Sequence, residues 1–178
     1  FGDEKSLPLL ASFLEKRNKA PFEKFLESFI QANAADIRDR LGSLHLLAGR
    51  YADAEREFAK LSPAYLASLN KTYAGSLSPV GVDHADGDSN AKWDKRKVAQ
   101  DLVRLEQKAA QNDAQANLQL ASALYNMSHF GRLWILTRTY RSEYDRYPHD
   151  KRLMENAMAR LKKAAELTRE RESLARIA

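Results

Sequence analysis

The chain has no cysteine in 178 residues, which excludes a disulfide framework, a thiolate metal site and a cysteine nucleophile. Glycine and proline are scarce, at 7 and 5, so little interrupts long helices. No stretch reaches the ~18 consecutive apolar residues of a membrane-spanning helix. A Gly-rich phosphate loop, an HExxH pair and a nucleophile elbow are also missing. No cofactor is implied, and a non-catalytic role is expected.

What the chain does contain is 44% hydrophobic and 30% charged residues, the balance of a folded helical protein and not of a disordered one. Its length suits one substantial core or a row of four or five helical hairpins. The net charge of +5 is unevenly spread. Residues 1–90 hold 11 Lys and Arg against 13 Asp and Glu, and residues 91–178 hold 18 against 11. A basic half of this kind fits either the solvated sides of helices or a face for a polyanion.

Read in order, the apolar spacing predicts helices almost throughout. Leu7, Leu10, Phe13 and Leu14 define a first face. Pro21 opens a second helix whose stripe, Phe22, Phe25, Leu26, Phe29 and Ile30, is expected to be core. Residues 34–61 read as two helices joined at Gly49-Arg50. Leu41, Leu44, Leu47 and Ala48 are inward on the first, and Tyr51, Ala54, Phe58 and Leu61 on the second. Gly49 suits a residue just past a helix end, where positive φ is needed. Gly42 and Ala54 would let the two backbones approach closely. Ser62-Pro63 starts another helix.

Residues 75–91 form the one long predicted loop. Asp86, Asp88 and Asn90 copy the opening of a calcium loop. Ala91 replaces its glycine and Lys97 its bidentate glutamate, so no calcium site is expected. His84 beside these carboxylates is a weak transition-metal candidate. His45, His129 and His149 are isolated, and no metal site is predicted from them. From Lys92 a long helix carries Val98, Leu102, Leu105 and Ala109 inward. The Lys92, Lys95, Arg96 and Lys97 cluster at its start is expected to be neutralised by the acidic loop. Asn112-Asp113 caps the next helix. A further helix is expected over 131–147, with Leu133, Leu136, Tyr140, Tyr144 and Tyr147 on one face. Asp150 should cap the last helix, with Ala157, Leu161 and Ala164 inward. The fold class is therefore all-α, with about eight or nine helices in antiparallel hairpins as a single domain over 1–178.

Leu41-Gly42, Gly49, Tyr51, Ala54 and Phe58 resemble one tetratricopeptide repeat (TPR), with Arg38 where that pattern has Trp and His45 where it has Tyr. The resemblance implies hairpins stacked as a right-handed α-solenoid. Over roughly 37–167, the order of a repeat-like pair, a broken loop, a Lys-rich helix and LASALYNMSHFGRLWILTRTYRS is similar to uncharacterised bacterial cell-envelope TPR-like proteins. That likeness implies a periplasmic or envelope location more than a cytoplasmic one, and brings no activity with it. Leu174, Ala175, Ile177 and Ala178 begin another apolar face. Since solenoids close with a polar cap, a longer protein is expected, with its remainder packed at this end.

Function is expected at a helical face that binds a peptide or partner subunit. Trp134, Arg138 and Arg141 share one side of the 131–147 segment, and Tyr125, Asn126 and His129 extend it. Trp and Arg are enriched at the energetic centres of interfaces. The alternative is nucleic-acid or polyanion binding through Arg132, Arg138, Arg141, Arg146 and the Lys92–Lys97 cluster.

Overall fold

A computed structural model describes residues 5–69, 94–129, 131, 133–137 and 148–175. Among them are eight α-helices and no strand, so the protein is all-α. None of the helices described is long and apolar enough to cross a membrane.

The helix starts follow capping chemistry that is local in sequence. Helix α1 (Ser6–Glu15) turns Leu7 and Ala11 inward. Helix α2 (Pro21–Glu27) begins with proline, whose missing N–H costs nothing in a first turn. Asn33 opens α3 (Ala34–Leu47). Its side chain accepts from the Asp36 N–H at 2.9 Å, and the Asp36 carboxylate accepts from the Asn33 N–H at 3.1 Å. Gly49, at φ +75°, then reverses the chain into α4 (Tyr51–Phe58). Ser62 accepts the Tyr65 N–H at 3.1 Å at the head of α5 (Pro63–Leu69). Asp94 caps α6 (Lys95–Ala110), accepting from Arg96 and Lys97 at 2.7 and 3.1 Å. Asp113 caps α7 (Ala114–Met127), accepting from Ala116 at 3.0 Å. The last helix, α8, spans Pro148–Ala175.

Packing follows chain order. Helix α1 lies on α3, α3 pairs with α4, α4 meets α6, α6 pairs with α7, and α7 packs along α8. One core runs through Leu46, Ala54, Phe58, Leu102, Leu120 and Leu153. A smaller one, of Leu7, Ala11, Ile37 and Leu41, joins α1 to α3. Gly42 is a contact point of α3 and α4, as expected, but what fills the space there is the Phe58 ring: a Cβ on Gly42 would fall 2.4 Å from it.

Several expectations are corrected. The α2 stripe is not core, because Phe22, Phe25, Leu26 and Phe29 are all exposed. In place of a helix from residue 131, a short 3-10 turn occupies Trp134–Leu136, and residues 138–147 lie outside the described residues. The chain there folds back on α7: Leu133 donates its N–H to the Asn126 carbonyl at 2.8 Å, and Thr137 Oγ1 donates to the Met127 carbonyl at 3.0 Å. Asp150 sits inside the first turn of α8 and accepts the His129 N–H at 2.9 Å, which ties the start of α8 to the end of α7. The calcium-like loop at 75–91 also lies outside the described residues.

Tyr51 is buried in the core, and burial together with the nearby Glu106 carboxylate pushes its phenol up to about 12. An unfolded tyrosine ionises near 10. The folded state therefore keeps the proton through that window. The stability it contributes is complete below pH 10 and is lost as pH rises towards 12, by roughly 2–3 kcal/mol. Urea unfolding at pH 9.5 and 12 should show this loss in the wild type, and Tyr51→Phe should lack that share of it.

Candidate partner-binding surface

Several polar groups inside the protein are tied to one another. Arg38, at the position where the repeat pattern has Trp, holds Glu15 with two bonds of 3.0 and 2.7 Å and Glu57 with one of 2.9 Å. Glu57 also accepts from Lys60 at 2.8 Å. The guanidinium bond is the main cause holding the Glu15 carboxyl below its ordinary range. Lys95 is only 3% exposed. It donates to Asp39 at 2.7 Å and lies 3.4 Å from the Ser43 hydroxyl and 5.8 Å from the Phe58 ring centroid. Burial lowers the Lys95 ammonium from its usual range, and the Asp39 charge opposes that shift. A side chain this covered ties α6 to α3 and is closed to an incoming ligand.

Two cations of the cluster at the start of α6, Lys95 and Arg96, are thus answered by α3 and α4, while Lys92 lies outside the described residues. Arg96 bonds Glu55 at 3.1 Å. The same carboxylate accepts from Gln100 at 3.1 Å. These residues border a cleft of about 620 Å³ lined by Ala52, Glu55, Arg56, Gln100, Val103 and Arg104. Its arginines are matched within their own helices, Arg56 with Asp53 and Arg104 with Asp101. Lys97 is exposed, and Lys92, Arg132, Arg138, Arg141 and Arg146, the other cations of the polyanion reading, lie outside the described residues. Among the described residues no group of three or more His, Asp or Glu side chains is placed to hold a metal ion.

A second cleft differs in character. Helices α7 and α8 are antiparallel, pinned at one end by the bond from His129 to Asp150 and at the other by Arg160, which reaches Asn117 at 3.3 Å and Glu106 at 3.2 Å. Buried Ala157 and Ala164 allow close packing on the inner side of α8. Between the two helices lies an apolar groove of about 250 Å³, with Ala157 at its base. Leu118, Ala121 and Tyr125 form one wall, and Met154, Met158 and Leu161 the other. Met158 and Leu161 remain about half exposed. Leu161 was expected to point inward with Ala157 and Ala164; it rims this groove instead.

Of the residues singled out in the sequence, Tyr125 is half-buried in the groove wall. His129 is half-buried at the end of α7, and Trp134 half-buried in the 3-10 turn. Asn126 is 1% exposed and sits beneath that turn, pressed by Gly131, so it offers no contact surface. Arg138 and Arg141 lie outside the described residues. Met154, Met158, Leu161 and Leu118 were missed. The signal for three of them was present: 154, 158 and 161 form a second apolar stripe beside 153, 157 and 164. Comparison with protein-family models, curated proteins and solved structures found no match to the chain.

Proposed function

We propose that this protein is a non-catalytic interaction module, a TPR-like right-handed α-solenoid that seats a helical segment of a partner protein in the α7–α8 groove. The observation that carries the reading is the groove itself: apolar, open, and rimmed by Met158 and Leu161, which remain about half exposed. Each wall runs from a residue i to i+7, a rise of about 10 Å, the spacing of anchors at i, i+4 and i+7 on an amphipathic ligand helix. Two methionines suit such a floor because their unbranched thioethers adapt to different contours. The solenoid reading is supported by the successive packing of α3, α4, α6, α7 and α8 and by the Gly42–Phe58 approach.

The test uses the chain as bait in a lysate at low and high salt, with amide exchange on whatever is captured. A specific protein held at high salt, protecting α7 and α8, is the expected result. Leu161→Asp, at an exposed position, should weaken its binding at least tenfold while leaving the fold intact. Capture that vanishes with salt and ignores Leu161→Asp would favour the polyanion reading.

A further inference from the structure

The sharpest departure from expectation lies at the other end of the molecule. Along α2 and the turn after it, Phe22, Phe25 and Phe29 form one row, stacked at 6.5 Å between the first two and edge-to-face at 5.0 Å between the last two. They are 67, 58 and 69% exposed, with Leu26 beside them at 42%. Rings that brace one another in this way are ordered before any partner arrives, which lowers the entropic cost of docking.

We infer that this row is a self-association surface, occupied by the same row of a second copy of the chain. Area supports that occupant. With about 200 Å² for each phenylalanine and somewhat less for leucine, these exposures leave roughly 450 Å² of apolar surface per molecule. Homodimer interfaces are about 65% apolar, so the row is the apolar share of roughly 700 Å² per subunit. The pair then buries about 1,400 Å², within the range of stable interfaces.

Charge supports it as well. Of the cations beside the row, Lys16 is matched to Glu23 at 2.7 Å and Lys19 to Glu27 at 3.0 Å, leaving Arg17 and Lys24. Two unmatched cations are fewer than the dense cluster that draws a protein to an anionic bilayer, so a second copy is the better occupant. The row is also close to self-complementary. Phe25 stands near its middle, so an antiparallel copy crossing there sets each Phe22 opposite the second copy's Phe29.

Sedimentation velocity over a concentration series tests this with the full chain. The wild type should dimerise reversibly. Phe25→Asp should raise the dissociation constant on the order of a thousandfold, because the two-fold axis enters the change in both copies. Its helical circular dichroism should be unchanged, since the side chain lies outside the core. Phe29→Asp should act in the same direction. A wild type that stays monomeric, or a dimer indifferent to both variants, overturns the inference. Monomers that float with anionic vesicles in a Phe25-dependent way also overturn it, and assign the row to a membrane surface.

Discussion

Replacing Asp39 by Asn should cost about 3–5 kcal/mol of unfolding free energy, because it leaves the Lys95 ammonium buried without its counter-charge. Desolvation already lowers the Lys95 proton affinity, and Asp39 is what holds it up. The deficit should therefore depend on pH. A folded-state lysine depressed below its unfolded value near 10.5 makes stability rise with pH across the interval between the two. Without Asp39 that interval extends to lower pH, so the variant should recover part of its loss between pH 7 and 10. A second variant separates charge from shape. Asp39→Leu with Lys95→Met removes both charges at similar volume and should fall close to the wild type or above it. Denaturant titrations of the wild type, the single variant and the double variant at two pH values supply the six free energies needed. A single mutant as stable as the double would mean that Lys95 finds water and is not held as the structure shows.

Phe58→Ala should cost a similar amount, about 3–5 kcal/mol, since the ring is fully buried between α3, α4 and α6. The more telling outcome concerns its neighbour. Gly42→Ala alone places a methyl 2.4 Å from the Phe58 ring, which cannot yield in a filled core. That change should cost about 2 kcal/mol or more. In the Phe58→Ala background the obstacle is gone, and Gly42→Ala should then be neutral or slightly stabilising, because it removes a helical glycine. The mutant cycle should give a coupling of about 2 kcal/mol; additive effects would mean that α3 and α4 separate easily.

The sequence was most readable where the determinants are near neighbours along the chain. Gly49, Ser62 and Asp113 mark helix ends through bonds to residues within a turn, and each stands where the sequence placed it, whereas the Asn33 cap is read only from the structure. Gly42 was legible as a point of close contact, but its nearest neighbour is the Phe58 ring, where the sequence suggested small Ala54. Periodicity failed at α2 for a specific reason. It identifies an apolar face but not whether another element covers it, and Phe22, Phe25 and Phe29 are uncovered. Leu161 failed likewise, since α8 carries two adjoining stripes and only one is core. The partner of Lys95 lies 56 residues away on α3 and has no local signature, so the nearby acidic loop was the obvious wrong choice. Asn126 looked like a surface residue because the turn that covers it was expected to be a helix.

Two of the polar ties skip a neighbour. Lys95 joins α6 to α3 across the intervening α4, and Arg160 joins α8 to α6 across α7. Helices that touch only the next in line can peel away one hairpin at a time, as a row of weakly linked units. A bond reaching two helices along makes the loss of one hairpin expose a charge belonging to the next. These ties therefore set the length over which the row melts as one body. With both in place, heating should open the helices from α3 to α8 in a single transition, and cutting both should let the two ends fray at different temperatures.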